Sequence, residues 1–131
     1  MTMLASAQVM TMLPVKDMDR ARDFYVNKLG LEAEGLAADG KFVVRANGTK
    51  FGLIPKPEGT KAEHTAVGFE VKDVAAAIQA LKKRGVQFHD YDFPGFKTVD
   101  HMIVMGTDKA AWFGDTEGNI LCLHQDLRKR A

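Results

Sequence analysis

The side chains of this sequence best suited to chemistry are His64, Glu70, Cys122 and His124. Glu70 could act as a general base if a cleft buried it. Cys122 could act as a nucleophile only if a nearby cation lowered its pKa. No fixed cation stands close to Cys122 in the sequence, so the favoured interpretation is a small buried hydrophobe. These residues alone define no reaction, and their meaning depends on the elements that position them.

A three-residue sequence motif that occurs twice shows how those elements are arranged. Val15-Lys16-Asp17 returns as Val71-Lys72-Asp73. Each copy follows an apolar, alternating stretch and precedes a helix-like pattern that stops at a glycine, Gly30 or Gly85. Each aspartate is a good helix N-cap. A repeat of this length indicates one supersecondary unit used twice.

The first unit, residues 8–55, predicts the order β-α-β-β-β. Residues 8–15 predict a strand and residues 18–29 a helix with one apolar stripe. Asp39-Gly40 and Asn47-Gly48 are typical of the primed turns that join paired strands. The stretches 31–36, 41–46 and 50–54 around these turns therefore predict a meander of three strands.

The second unit, residues 64–125, predicts the same order after a linker at 56–63. Its strands are expected at 64–71, 86–91, 110–114 and 119–125, and its helix at 74–84. Residues 126–131 form a tail. The irregular segment 92–108 contains Phe93, Phe96 and two sets of chain breakers. Its two interpretations are a lid over a cleft and a surface loop or dimer contact.

The length, net charge and cysteine content limit the classes of protein to which this chain could belong. With 131 residues the chain supports a single domain, 1–131, and a net charge of +1 gives no electrostatic case for nucleic acid or an anionic membrane. One cysteine fits a reducing compartment. The apolar start, residues 1–4, is too short for a signal peptide, and no stretch approaches a transmembrane helix. A cytoplasmic protein is expected.

The two units and a late hairpin together resemble a known family. The hairpin is Trp112-Phe113-Gly114-Asp115-Thr116-Glu117-Gly118-Asn119. With the tandem β-α-β-β-β order it resembles the glyoxalase / bleomycin-resistance protein / extradiol-dioxygenase (vicinal oxygen chelate) superfamily, over about residues 8–125. The resemblance implies an α+β fold in which two modules form a curved mixed sheet around a cleft, with helices on the convex face. It also implies a homodimer.

Enzymes of that family hold a divalent metal in the cleft, and the resemblance assigns its ligand positions. The two imidazole positions fall on Met10 and Ala66, and the two carboxylate positions on Gly52 and Cys122. None of these residues is a good ligand for a hard or borderline first-row cation. No metal and no other cofactor is therefore expected.

The resemblance then predicts a cleft of small or soft side chains that binds an apolar or aromatic small molecule, as drug-sequestering members do. The alternatives are a divergent metal-dependent lyase or dioxygenase, a metal-free isomerase that uses Glu70 or a histidine, and a dimeric scaffold with a filled cleft. The candidate pocket residues are Met10, Met12, Gly52, Ile54, His64, Ala66, Gly68, Glu70, Trp112, Cys122 and His124.

Overall fold

A computed structural model describes residues 4–129. The first three residues, which include most of the apolar start, and the last two residues of the predicted tail lie outside the described part. No helix within 4–129 is long and apolar enough to cross a membrane. The chain is an α+β protein with two β-α-β-β-β modules, as the repeat predicts.

Module one begins with a short 3-10 helix, Leu4–Ser6, and then follows the predicted order. Its four strands form one mixed sheet in the order β1-β4-β3-β2, in which β1 runs parallel to β4 and the other pairs are antiparallel. The elements are β1 (Thr11–Val15), α1 (Met18–Arg22), a π-helix (Asp23–Lys28), β2 (Glu32–Leu36), β3 (Phe42–Ala46) and β4 (Thr49–Pro55).

Module two repeats this arrangement around the order β5-β11-β10-β6. Strand β5 runs parallel to β11, as β1 does to β4. The irregular segment adds three short strands, and the last of them extends the sheet by pairing with β10. The elements are β5 (Thr65–Glu70), α2 (Val74–Lys83), β6 (Phe88–His89), β7 (Asp92–Phe93), β8 (Phe96–Lys97), β9 (Ile103–Met105), β10 (Asp108–Gly114) and β11 (Ile120–Asp126).

The repeated aspartates begin the two helices. Asp17 accepts a hydrogen bond from the Arg20 amide at 3.1 Å, and Asp73 accepts one from the Ala76 amide at the same distance. Each side chain thereby satisfies an amide that has no partner inside its helix. Gly30 ends the first helical segment at a φ of 76°, in the left-handed region where glycine is favoured.

The first predicted helix, 18–29, is a single α-helical turn followed by a π-helix. The Leu29 amide donates to the Phe24 carbonyl at 2.9 Å, five residues back. The consecutive residues Phe24 and Tyr25 belong to this π-helix and lie in the core at 4% and 0% exposure.

A single hydrophobic core joins the modules. Both modules contribute side chains that are at most 2% exposed. Burial of each large one stabilises the folded protein by on the order of 2 kcal/mol. From module one the core takes Leu13, Tyr25 and Leu53, and from module two Ile78, Phe113 and Leu121. Because strand side chains alternate between faces, the other face of each sheet points away from the helices.

Candidate functional site

The outer face of the module-two sheet carries a row of predicted pocket residues. The strand register aligns Gly68 with Cys122, Cys122 with Trp112, and Trp112 with His89. These residues therefore share the face opposite the core. The same register shows which of two neighbouring rings faces outward: Trp112 points outward, whereas Phe113 is 1% exposed in the core.

Four aromatic rings gather on this face and form what we call the aromatic platform: Tyr91, Phe93, Phe96 and Trp112. The Tyr91 ring centroid lies 5.7 Å from that of Trp112 and 5.8 Å from that of Phe96, both edge to face. The Phe93 ring stacks on Tyr91 with centroids 6.1 Å apart. Such geometries stabilise ring pairs beyond the area they bury. The platform is preassembled, and Phe93 remains 59% exposed at its edge.

Two histidines cover glycines of the same face. A Cβ atom at Gly68 would lie 3.9 Å from the His124 ring, and one at Gly114 would lie 3.1 Å from Nε2 of His89. At Gly114 a methyl group would crowd the imidazole, so the absence of a side chain lets the ring lie flat. The His89 ring centroid lies 6.4 Å from that of Tyr91, so this histidine stands beside the aromatic platform.

The hydroxyl and thiol groups of this face are held in neutral forms. The pKa of Tyr91 is raised, mainly by burial and to a lesser extent by the nearby Cys122. Burial raises the pKa of Cys122 to about 11, and its side chain is 8% exposed. The prediction of a small buried hydrophobe is confirmed for Cys122, because a thiol that stays protonated at neutral pH is a poor nucleophile. The Trp112 indole donates to the Thr65 hydroxyl at 2.9 Å, which fixes the ring orientation.

The outer face of module one is more polar. Met12 pairs with Gly52, and the Met12 sulfur lies 2.9 Å from the position that a Gly52 Cβ would occupy. The Lys41 side chain approaches the same point at 3.0 Å, and its ammonium bonds Asp39 at 2.7 Å. Met12 and Lys41 therefore cover Gly52, which is buried although it has no side chain.

The structure places the remaining predicted pocket residues apart from the platform. Met10 precedes β1 and lines a separate depression with Gln8 and Lys50. Ile54 pairs with Pro14 near the end of its strand. His64 is exposed just before β5, and Ala66 packs against the core at a register shift.

Glu70 aligns with His124 at the end of β5, one row beyond Gly68. Its side chain is 52% exposed and accepts a hydrogen bond from the Lys129 ammonium at 3.0 Å. A carboxylate in this setting is solvated and paired with a cation, and it is not enclosed in a cleft as the proposed general base would be.

The metal that the family resemblance implies does not fit these residues. Across the parallel strand pairs, Met12 and not Met10 lies beside Gly52, and Gly68 and not Ala66 lies beside Cys122. The four residues that the resemblance assigned and the four that the register brings together each offer one thioether, one buried thiol and two positions without a donor atom. Hard divalent ions do not select such ligands. Within residues 4–129 no three His, Cys, Asp or Glu side chains are grouped closely enough to hold a metal ion.

The irregular segment 92–108 has two parts with different roles. Its first part forms the β7–β8 hairpin, which carries Phe93 and Phe96 onto the platform. Its second part, β9, pairs with β10 and extends the sheet, leaving Val104 57% exposed. The hairpin therefore forms one wall of the platform.

The acidic turn, residues 115–119, has a role that sequence reasoning missed. Glu117 accepts hydrogen bonds from the amides of Lys16 and Asp17 at 2.9 and 3.0 Å and from Arg20 Nε at 2.7 Å. Tyr25 donates to Asp115 at 2.6 Å. These hydrogen bonds connect the acidic turn of module two to the start of α1 in module one. The available sequence signal was the pair of acidic residues, Asp115 and Glu117, in one short turn.

The platform was also only partly anticipated. Tyr91 was assigned to a strand and not to the pocket, although its ring touches those of Phe93, Phe96 and Trp112. Thr65 was assigned to the strand alone. The clustering of three aromatic residues within 91–96 was the available signal.

Known proteins share this architecture. TnmS3, an antibiotic binding protein from Streptomyces sp. CB03234, is 25% identical, with a TM-score of 0.73 over 95% of this chain and 99% of that chain. A glyoxalase/bleomycin resistance protein from the same organism is also 25% identical, with a TM-score of 0.67 over 91% of this chain and 100% of that chain.

A putative glyoxalase family protein from Bacillus anthracis is 16% identical, with a TM-score of 0.74 over 96% of this chain and 99% of that chain. At this identity the likeness shows the fold alone. No curated protein matches the chain. The family model described as Glyoxalase/Bleomycin resistance protein/Dioxygenase superfamily matches residues 7–123. The chain belongs to this superfamily, as its repeat and late hairpin predicted.

Proposed function

We propose that this protein binds an apolar or aromatic small molecule against the aromatic platform and sequesters it without chemical change. The observation that carries the proposal is the cluster of Tyr91, Phe93, Phe96 and Trp112 on the sheet face opposite the core. Large rings on a face that is not the core favour a planar ligand that adds one more ring to the cluster.

Two features of the surroundings support this function. His89 places its Nδ1 atom 3.4 Å from the Tyr91 hydroxyl, and His124 lies beside Gly68 on the same sheet face. Such polar groups can orient a bound molecule. The similarity to TnmS3, an antibiotic binding protein, extends over 95% of the chain at 25% identity. An antibiotic or similar compound is therefore the ligand class that we propose.

The enzymatic alternatives find less support in the site. Metal-dependent lyase or dioxygenase chemistry needs hard donors where this chain has Met12, Gly52, Gly68 and Cys122. A metal-free isomerase would need a buried base, and Glu70 is 52% exposed beside Lys129. A scaffold with a filled cleft would need its rings covered, and Phe93 is 59% exposed.

The experiment compares 2-naphthol with decahydro-2-naphthol by titration calorimetry. Both carry the same hydroxylated two-ring skeleton, but only 2-naphthol has π faces. We expect 2-naphthol to bind about tenfold tighter, because ring–ring contacts add on the order of 1 kcal/mol beyond area burial. Trp112→Leu and Tyr91→Leu should each weaken 2-naphthol about tenfold, with folding checked by circular dichroism.

The matched control is Leu36→Ala, which removes an apolar side chain that is 68% exposed in the other module. It should leave the affinity unchanged. Failure of both compounds to bind would contradict the proposal, and equal affinity for them would contradict the role given to ring–ring contacts. So would a 2-naphthol affinity that survives both platform substitutions.

We further propose that the protein works as a homodimer in the cytoplasm. Within the described part of the chain, β1 and β5 each pair with one neighbour only, so each leaves one edge free. Val9, just before β1, is 82% exposed, and Met12 is 43% exposed. Free edges with apolar neighbours favour pairing with a second copy. Sedimentation equilibrium should give twice the 14.4 kDa chain mass, and a monomer at micromolar concentration would rule the dimer out.

A further inference from the structure

A second apolar cavity lies on the helix side of the sheets, away from the aromatic platform. Its volume is about 250 Å³, and every residue that lines it is apolar. We call it the junction groove, because its walls come from both modules: Leu29 and Leu31 from module one, Ala77 and Leu81 from α2, and Phe69 and Phe113 from the sheet of module two.

The groove is formed where the two helical segments end. Gly30, between Leu29 and Leu31, has a φ of 76° and turns the chain sharply after the π-helix. On α2, the small side chain of Ala77 leaves space beside Leu81 that a larger residue would occupy. A cavity of about 150 Å³ lined by apolar side chains holds a benzene-sized molecule. The junction groove therefore has room for a chain of roughly eight carbons.

Two cations lie next to the glycines that end the two helical segments, and the lining residues Leu29 and Leu31 flank the first of these glycines. Arg84, at the end of α2, donates to the Asn27 carbonyl at 3.1 Å, and its guanidinium lies 3.7 Å from the position of a Cβ at Gly30. Lys28 lies 3.6 Å from the corresponding position at Gly85. Neither Arg84 nor Lys28 forms an ion pair with a side chain of residues 4–129. Their charges are therefore free to bind an anion from solution.

We propose that the junction groove binds a medium-chain carboxylate, with the hydrocarbon chain in the cavity and the carboxylate at Arg84 and Lys28. The lining offers no polar partner, so the buried part of the ligand must be apolar. The guanidinium matches a carboxylate in charge and geometry. The site is separate from the aromatic platform and does not rest on the function proposed for it.

The experiment is calorimetric titration of the full chain with octanoate, with 1-octanol and butyrate as comparison ligands. We expect octanoate to bind one per chain with a dissociation constant of about 0.1–1 mM. Butyrate should bind at least tenfold more weakly, because it leaves most of the cavity empty. Octanoate should leave the fluorescence of Trp112, the single tryptophan, unchanged.

Substitutions separate the cavity from the charge. Ala77→Leu should remove octanoate binding by filling the groove, and Ala80→Leu, at an exposed position of the lining, provides a second filling variant if Ala77→Leu folds poorly. Arg84→Gln should weaken octanoate about tenfold and leave 1-octanol unchanged. Lys83→Gln, one residue away at the same helix end, is the matched control and should have no effect.

Four results would overturn the proposal. The first is failure of octanoate to bind, and the second is equal octanoate binding to the wild type and both filling variants. The third is a loss of octanoate affinity in Lys83→Gln as large as in Arg84→Gln, which would indicate attraction to general positive charge. Dissociation of a dimer by Ala80→Leu would show that a second copy of the chain occupies the groove.

Discussion

Glu117 connects the two modules through a single carboxylate. Its side chain is 0% exposed, and Arg20, Thr116 and the amides of Lys16 and Asp17 all donate to it. Burial alone would raise its pKa, but the hydrogen bonds from Arg20, Thr116 and the two amides outweigh burial and lower the pKa to about 2. The carboxylate is therefore charged in the native protein at any ordinary pH.

The first prediction concerns the stability that this charge provides. Glu117→Gln should lower the free energy of unfolding at pH 7 by about 2 kcal/mol, because it removes the charged acceptor from two backbone amides and from Arg20, whose side chain is 50% exposed. Glu58→Gln is the matched control, since Glu58 pairs with Lys56 on the surface with 67% of its side chain exposed. The control should change the free energy of unfolding by less than about 0.5 kcal/mol.

The second prediction concerns how the difference in unfolding free energy between wild type and Glu117→Gln depends on pH. A carboxylate with a lowered native pKa stabilises the protein fully above its ordinary value of 4.5, and this stabilisation is lost as the pH falls toward 2. The difference between wild type and Glu117→Gln in urea unfolding should therefore be constant from pH 7 to 5 and shrink below it. A difference that does not change with pH would show that Glu117 acts through shape and not through charge.

The role of a single residue could be predicted from the sequence where its hydrogen-bond partner is a near neighbour along the chain. Asp17 and Asp73 were predicted as caps, and each bonds an amide three residues ahead. The role of Glu117 could not be predicted, because Lys16 lies 101 residues away. Only the folded chain brings the acidic turn to the start of α1.

At the scale of elements, the acidic turn depends on a glycine. Gly118 has a φ of 96°, and a Cβ there would lie 3.3 Å from the Thr60 carbonyl oxygen. Side chains rarely adopt this backbone conformation, and the neighbouring linker restricts the space further. The turn is therefore held both by its own hydrogen bonds and by contact with the segment between the modules.

A matched pair of glycines tests this contact. Gly40 has the same φ of 96° but nothing within 4 Å of a Cβ position. Gly40→Ala should cost about 1 kcal/mol from backbone strain alone. Gly118→Ala should cost clearly more, because strain and crowding add. Thermal and urea unfolding of the two variants provide the comparison, and equal losses would show that the Thr60 contact carries no energy.

The predicted elements exist, but several of their bounds differ. The helix expected at 18–29 continues as a π-helix after Arg22, and the core residues Phe24 and Tyr25 lie in that π-helix. The strand expected at 8–15 is β1, which starts only at Thr11, where pairing with β4 begins. The irregular segment could not be predicted, because its strands are two or three residues long and depend on β10 and Trp112 for support.

At the scale of the whole molecule, two modules share one core and turn their other faces outward. Membership of the superfamily and the fold followed from the repeat and the late hairpin. Three of the predicted pocket residues, Gly68, Trp112 and Cys122, form one row of the module-two sheet, whereas His64 and Ala66 lie elsewhere. A register shift in β5 leaves Ala66 without a partner on β11, and such a shift cannot be read from residue spacing alone.

The most direct test of the account is a fluorescence titration of Trp112, the single tryptophan, in chelator-treated protein. With 2-naphthol added, and N-acetyltryptophanamide as the reference for light absorption, we predict saturable quenching at one ligand per chain. Adding Mn²⁺ or Ni²⁺ should leave the curve unchanged. Quenching that requires either ion, or that never saturates, would contradict the claim that this superfamily member binds aromatic molecules through its rings alone.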